Sequence, residues 1–358
     1  MVKIPPSNPD IIFSRIGKLG KILLNRPKAL NALNLGMVEA MQQKLDEWEA
    51  DPGIRAVLVE GAGERAFCAG GDIRRLAESA ITRDPSYCKE FFSAEFNLNR
   101  KIFRFAKPYV AILDGITMGG GVGLSVHAPF RVATESTLFA MPETGIGYFP
   151  DVGASYFLPR CPSEIGMYLG LTGNRLDGQD SVECGIATHY VKSERILQLV
   201  DNLEQITQEK DVSFEISKIL GKFTSKVSGK FVSVTGKKIQ KYFSKNSLDD
   251  IFEALEQVGT EWSQKTISQL NKKSPLSLKV TFRQLREGQS LDFESCMVME
   301  LRLALRFMEE RDFYEGVRAV IIEKDNKPNW KPKTIKEVLD KDIEKFFLPL
   351  IEGDLSFD

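Results

Sequence analysis

The chain has 358 residues, of which 42% are hydrophobic and 27% are charged, and its formal net charge is -1 at pH 7. This composition is typical of a soluble globular protein, and the balanced charge gives no global field that favours nucleic acid or anionic lipid. Five scattered cysteines and two distant histidines favour neither a disulfide framework nor a histidine-rich metal site.

The N-terminal stretch MVKIPPSNPD has no apolar core for export and no amphipathic pattern rich in Arg and Ser. No apolar run in the chain approaches the length of a membrane span. We therefore expect a protein that stays where it is made, or one whose targeting segment has been removed.

The first half of the chain alternates between predicted strands and helices. Residues 11–15 and 21–24 are short β-rich runs that predict a hairpin, and residues 35–50 carry apolar side chains at helical spacing. Buried strands are predicted at residues 56–59, 109–113 and 130–134, and the first two run into glycine loops. This alternation predicts an α/β core.

From about residue 192 the pattern changes, because glycine becomes rare and lysine and glutamate increase. Helical periodicity dominates residues 247–258 and 293–308, and Ser274 followed by Pro275 is a good helix start. The lysine-rich stretch 221–245 predicts a solvated helix or loop. We therefore predict an α/β domain over residues 1–191 and a helical region over residues 192–358.

Two glycine loops follow predicted strands: FCAGGDI, residues 67–73, and MGGGVGL, residues 118–124. A dinucleotide fingerprint starting in the second loop would need glycine where Leu124 or Val126 stands, and no Gly-Lys-Ser/Thr follows. Glycines also expose backbone N–H groups, and donors from two loops can form an oxyanion hole. The alternative is that the glycines only permit tight packing.

A third motif, MPETGIGYFPDVG at residues 141–153, carries Glu143 and Asp151 among glycines, prolines and aromatic residues. We call it the acid segment. Taken alone, Glu143 could be a solvated turn residue, and Asp151 could cap a helix that begins at Val152. Cys68 is a conceivable thioester nucleophile, although a small buried cysteine is the more common case.

The segments NRPKALNAL, AFCAGGD, GITMGGGVGLS and MPETGIGYFPDVG resemble the crotonase (enoyl-CoA hydratase/isomerase) superfamily, most closely its 3-hydroxyisobutyryl-CoA hydrolase branch. The resemblance covers residues 10–195 and resumes near SPLSLKVTFRQL and RDFYEGVRAVIIEKD. It implies a ClpP/crotonase-like spiral of β-β-α turns whose C-terminal helices cover the site. It also implies an acyl-CoA thioester substrate.

The resemblance also assigns roles to individual residues. It places the oxyanion-hole donors at the backbone N–H groups of Ala69 and Gly120, and the catalytic acids at Glu143 and Asp151. Glu95 takes the place of a glutamate that contacts the substrate hydroxyl. Whether Glu143 attacks directly or activates water stays open. Further substrate-binding residues implied by the motifs are Gly70, Gly71, Asp72, Gly119 and Gly121.

One position separates activities within the superfamily. Hydratases carry a second catalytic glutamate three residues after the middle glycine of the second loop, where this chain has Gly123. We therefore expect hydrolysis of 3-hydroxyisobutyryl-CoA, and of related 3-hydroxyacyl-CoAs, to CoA and the free acid in valine catabolism. The alternatives are a hydratase or isomerase of the same fold and a non-catalytic CoA-binding protein.

The remaining expectations concern partners and location. We expect no metal and no cofactor, since coenzyme A is part of the substrate, and neither nucleic acid nor a membrane as partner. A homo-oligomer is left open. The expected location is the mitochondrial matrix in a eukaryote, with the presequence absent or removed, and otherwise the cytoplasm.

Overall fold

A computed structural model describes residues 9–81, 85–206 and 211–357, and the chain in it forms two compact units. The first comprises Met1–Gly71, Asn97–Phe139 and Leu176–Gly229, and the second comprises Asp72–Phe96, Ala140–Arg175 and Lys230–Asp358. The domain boundary after residue 191 stays a prediction. No helix within the described ranges is long and apolar enough to cross a membrane.

The strands are β1 Ile11–Ile16, β2 Leu19–Leu24, β3 Ala56–Gly61, β4 Ala66–Cys68, β5 Tyr109–Leu113, β6 Ile116–Met118, β7 Phe130–Ala133, β8 Leu138–Ala140, β9 Leu176–Asp177 and β10 His189–Tyr190. The first two form the predicted antiparallel hairpin, with Ile11 opposite Leu24. The strands predicted from the apolar runs at residues 56–59, 109–113 and 130–134 are confirmed as β3, β5 and β7.

The α-helices are α1 Leu35–Ala50, α2 Ile73–Ile81, α3 Pro85–Arg104, α4 Gly120–Gly123, α5 Ala154–Phe157, α6 Ile165–Thr172, α7 Gly178–Glu183, α8 Ile196–Glu204, α9 Val212–Phe223, α10 Lys237–Phe243, α11 Leu248–Val258, α12 Glu261–Leu270, α13 Pro275–Gly288, α14 Phe293–Phe307, α15 Arg311–Val317 and α16 Asp340–Phe347. The structure thus confirms the predicted helix at residues 35–50 and the predominance of helices after residue 192.

The first unit is organised around a six-stranded sheet in the order β1-β2-β3-β5-β7-β10, parallel except for the hairpin. Its central strands are apolar because they are buried on both faces, as β3 and β5 show. Helices α8 and α9 contribute Leu199, Leu203, Ile216 and Leu220 to the core cluster that also contains Leu58 and Val110.

A four-stranded sheet, in the order β4-β6-β8-β9, positions the glycine loops. Strands β4 and β6 are parallel neighbours that end at Cys68 and Met118, immediately before the two loops. The carboxyl ends of parallel strands lie at one edge of a sheet, which is where α/β proteins commonly bind ligands. The loops therefore start side by side.

The second unit is mainly helical, and aromatic side chains fill its interior. Tyr148 and Phe149 of the acid segment pack in this core: Tyr148 stacks on Phe92 with ring centroids 6.0 Å apart, and Phe149 stacks on Phe307 at 5.5 Å. Ser274 caps α13 by accepting a hydrogen bond from the backbone N–H of Ser277, as its sequence predicts. The acid segment is therefore anchored by its aromatic residues.

Candidate active site

The two glycine loops of the first unit pack directly against each other. Gly70 has a φ of +117°, which L side chains rarely adopt, and a Cβ built there would lie 3.8 Å from the nitrogen of Gly120. A Cβ on Gly121 would lie 2.2 Å from the carbonyl oxygen of Cys68, too close for any side chain. Glycine is therefore required here, both for the backbone conformation and for the close approach of the loops.

The backbone N–H of Ala69 donates to the carbonyl of Leu30 at 3.0 Å. A donor that is committed to a backbone carbonyl is not available to an oxyanion, so the geometry does not favour the expected role of Ala69. Gly71 forms an isolated parallel bridge with Leu33, whose N–H donates to the neighbouring Gly70 carbonyl at 2.9 Å. In such a bridge the N–H of Gly71 itself points away from Leu33. Gly71 is therefore the better candidate donor.

The second loop begins with Gly119, whose φ of +47° and ψ of -125° lie outside the range of ordinary L residues. Gly120 is the first residue of the short helix α4, and Gly120 and Gly123 are both buried. No carboxylate is available at position 123, since glycine has no side chain.

Asp72, the last residue carried over from the first motif, lies before α2 in the second unit, where it accepts a hydrogen bond from the N–H of Arg75 at 3.4 Å.

Glu143 is the first residue of a 3-10 helix, Glu143–Ile146, and is only 7% exposed. Its Oε2 atom is buried and has no hydrogen-bond partner among the described residues. The next residue is fixed on both sides: the Thr144 hydroxyl donates to the Leu171 carbonyl at 3.1 Å, and the Thr144 carbonyl accepts from the N–H of Ser274 at 3.1 Å. Glu143 is thus a buried acid on a rigid support, unlike a solvated turn residue.

Asp151 is also buried, at 6% exposure, and its Oδ2 accepts a hydrogen bond from the Tyr148 hydroxyl at 3.3 Å. It does not cap a helix. Helix α5 begins at Ala154, and the N–H groups of Gly153 and Ser155 donate to the carboxylate of Glu300, at 2.7 and 2.9 Å. Because Glu300 accepts these N–H groups, the Asp151 carboxyl is left for another role.

Glu95, on α3, is 2% exposed, and its Oε1 atom has no hydrogen-bond partner within the described chain. Burial raises its pKa well above the usual range, and the charges of Asp151 and Glu300 raise it further. Glu95 and Asp151 are therefore close enough for the charge of Asp151 to raise the pKa of Glu95.

Burial dominates the electrostatics of the other acids as well. It raises the pKa of Glu143 well above the usual range, with a further contribution from the charge of Asp151 and an opposing one from Lys273. Burial raises the pKa of Asp151 to about 7, against the hydrogen bond from Tyr148, and the pKa of Glu300 to about 8, against its own hydrogen bonds. Groups that titrate near neutral pH are suited to proton transfer.

Three residues of this site were not identified from the sequence: Tyr148, Lys273 and Glu300. Tyr148 lies within the acid segment, but nothing local shows that its hydroxyl faces Asp151. Burial lowers the pKa of Lys273 to about 8, and the charge of Glu143 opposes that shift. A Cβ on Gly145 or Gly173 would lie 3.2 or 3.0 Å from the Lys273 Nζ, so both glycines leave room for the amine.

Cys68, the other conceivable nucleophile, and the histidine His127 take ordinary structural positions. Cys68 is fully buried, and its Sγ contacts the Gly70 carbonyl at 3.6 Å. His127 packs edge-on against Phe103 with ring centroids 6.3 Å apart. Neither is arranged as a nucleophile or a base.

The raised pKa of Asp151 predicts how stability changes with pH. Between the ordinary value of 3.8 and the folded value of about 7, the folded protein retains a proton that the unfolded chain releases, so wild-type stability falls as pH rises through this range. Asp151→Asn removes this effect and keeps an acceptor for Tyr148. We expect its melting temperature, relative to wild type, to increase from pH 5 to pH 7.5. A constant difference in thermal scans across that range would contradict the raised pKa.

Comparisons with known proteins extend over nearly the whole chain. Residues 19–347 match the family model described as enoyl-CoA hydratase/isomerase. The mitochondrial 3-hydroxyisobutyryl-CoA hydrolase of Xenopus laevis is 46% identical over 350 residues, which are 96% of this chain and 90% of that protein. The human protein of the same name is 44% identical over 353 residues, covering 97% and 91%.

Among solved structures, the carnitinyl-CoA dehydratase from Mycobacterium thermoresistibile is 35% identical, with a TM-score of 0.91 over 98% of this chain and 99% of that one. This likeness confirms the crotonase-like α/β fold with a helical C-terminal region. A family model spans residues 19–347, and the relatives are identical to this chain at more than four positions in ten. The chain therefore belongs to the enoyl-CoA hydratase/isomerase family.

Proposed function

We propose that this protein hydrolyses the thioester of 3-hydroxyisobutyryl-CoA to 3-hydroxyisobutyrate and CoA, as a step in valine catabolism. The observation that carries the proposal is a pair of buried acids, Glu143 and Asp151, with no third acid at Gly123. Hydrolysis needs one group to generate the nucleophile and one to assist the leaving thiol. Relatives named 3-hydroxyisobutyryl-CoA hydrolase support the same substrate.

Glu143 is the proposed base or nucleophile. As a base, its carboxylate takes a proton from water while the water oxygen attacks the thioester carbonyl carbon. As a nucleophile, its oxygen attacks that carbon and releases the thiolate, and water then hydrolyses the mixed anhydride. Both routes need the ionised form and an oxygen free of other partners, and Oε2 meets the second requirement within the described chain.

Asp151 is the proposed second acid. Its pKa of about 7 means that much of the population carries a proton at neutral pH, which can pass to the leaving thiolate sulfur. The N–H groups of Gly71 and Gly120 are the proposed donors to the carbonyl oxygen, with Gly71 replacing Ala69 because the Ala69 N–H is already bonded. Removing one donor of this kind typically costs roughly 10²- to 10³-fold in kcat.

Glu95 is the proposed contact to the acyl group, since it is buried and its Oε1 has no hydrogen-bond partner among the described residues. Because the relatives are named mitochondrial, we propose the mitochondrial matrix as the location if the source is a eukaryote. The substrate class, an acyl-CoA, follows from the family.

A direct comparison of two reactions tests the proposal. Thiol release from 3-hydroxyisobutyryl-CoA should be efficient, whereas hydration of a short 2-enoyl-CoA, followed by loss of enoyl absorbance, should be slow or absent. The physical reason is that syn addition of water across a double bond uses two acid/base groups, and Gly123 supplies no side chain. Efficient hydration with little thiol release would instead favour a hydratase, the activity for which one solved structure, 33% identical to this chain, is named.

A further inference from the structure

The turn that follows Asp151 has an unfavourable backbone conformation. Val152 has a φ of +52° and Gly153 a φ of +89°, so two successive residues are in the left-handed region. For a β-branched residue such as Val152 this conformation is rare and costs energy. Val152 is nonetheless fully buried. The surrounding structure must therefore stabilise this acid turn, residues 151–155.

Glu300 provides much of that stabilisation. It lies on α14, is fully buried, and accepts hydrogen bonds from the N–H of Gly153 at 2.7 Å and from the N–H of Ser155 at 2.9 Å. The Ser155 hydroxyl donates to the same carboxylate. Three donors therefore converge on one side chain, and removing its carboxyl would leave two buried backbone N–H groups without their acceptor.

A second buried side chain holds the turn from the other end. Gln284, on α13, is fully buried, and its Nε2 donates to the carbonyl of Pro150 at 2.7 Å. Pro150 immediately precedes Asp151. Side chains of the C-terminal helices therefore bond the backbone on both sides of Asp151. Gln284 donates to the Pro150 carbonyl, and Glu300 accepts from the Gly153 N–H.

We propose that Glu300 is a positioning residue for Asp151, acting through the backbone of the acid turn, with Gln284 as the second support. Glu300 makes no contact with substrate in this proposal. The kinetic consequence rests on the proposed hydrolase function, whereas the structural consequence can be measured without any substrate.

The kinetic test uses Glu300→Ala and Glu300→Gln. Glu300→Ala should lower kcat for thiol release by roughly tenfold with KM nearly unchanged, which is less than the hundredfold that a misplacement of about 1 Å can cost. Glu300→Gln, which retains one good acceptor, should lose less. Glu315→Ala is the control, since Glu315 is a half-buried glutamate that accepts from Arg318 and from the N–H of Asn329, outside the turn. It should lose thermal stability but keep kcat within about twofold.

A double variant separates positioning from general destabilisation. If Glu300 acts through Asp151, Glu300→Ala should cost less than about twofold in a chain that already carries Asp151→Asn, because coupled residues are not additive. The same tenfold loss in both backgrounds would overturn the proposal, as would equal losses for Glu300→Ala and Glu315→Ala.

Amide hydrogen exchange tests the positioning role without depending on activity. The N–H groups of Gly153 and Ser155 should exchange faster in Glu300→Ala than in wild type, while N–H groups of the six-stranded sheet should not change. If wild type released no thiol, the hydrolase proposal would fail and this measurement would still decide the positioning role. Unchanged exchange at both sites would refute it. Should Glu300→Ala not fold, Glu300→Gln and Ser155→Ala provide milder versions of the same comparison.

Discussion

Replacing Glu143 with Gln is expected to lower kcat for thioester hydrolysis by about 10²- to 10⁴-fold while acyl-CoA affinity changes little. Gln has nearly the same size as Glu but can neither accept a proton from water nor attack a carbonyl carbon as a carboxylate. The loss should appear in kcat because Glu143 is proposed to act mainly in the transition state.

Steady-state kinetics of thiol release, together with a binding measurement on a non-hydrolysable acyl-CoA analogue, would check this prediction. Glu253→Gln is a suitable control, because Glu253 is an exposed glutamate on α11 and the change should leave kcat unaltered. A Glu143→Gln variant that kept more than about a tenth of wild-type kcat, a loss below about 1.4 kcal/mol, would remove Glu143 from the chemistry.

The second large effect concerns the substrate hydroxyl. We expect kcat/KM for 3-hydroxyisobutyryl-CoA to exceed that for isobutyryl-CoA on the order of 10²-fold. Glu95 is 2% exposed and its Oε1 has no protein partner in the described ranges, so a substrate without a hydroxyl leaves it unpaired. Water entering the site would recover part of that cost, which is why the expected ratio lies below the roughly 10⁴-fold reached by dry sites.

Glu95→Ala should reduce this preference to a few-fold without abolishing hydrolysis, because Glu95 is not assigned to the chemistry. Glu95→Gln, which can still form a hydrogen bond to the hydroxyl, should retain most of the preference. The measurement is kcat/KM for both substrates in all three proteins. Equal wild-type values would show that the hydroxyl is not recognised, and the proposed acyl specificity would then be wrong.

Much of the fold could be predicted because its signals are local. The apolar runs that became β3 and β5, the helical spacing over α1 and the Ser274 cap before α13 all lie within a few residues of the structure they specify. The glycine loops were identified from their own composition, although the short strands that they follow, β4 and β6, were not predicted. The family resemblance supplied the roles of Glu143 and Asp151.

Other parts of the site depend on contacts that no local pattern encodes. Glu300 accepts a hydrogen bond from the N–H of Gly153, which lies 147 residues earlier in the sequence. Its sequence context within α14 is that of an ordinary helical glutamate. The choice between Ala69 and Gly71 as the oxyanion-hole donor depends on which N–H group donates to the Leu30 carbonyl. That pairing follows from the backbone path, and the motif alone does not specify it.

The long separation between the acid turn and Glu300 has a consequence for biosynthesis. A ribosome that adds about 5 to 20 residues per second needs roughly 7 to 30 seconds to extend the chain across the 147 residues from Gly153 to Glu300. All segments of the six-stranded sheet are made well before the end of that interval, since β10 ends at Tyr190. A nascent chain that has not yet reached Glu300 therefore carries Asp151 on a turn that lacks its main acceptor, and the turn is completed only after α14 has been made.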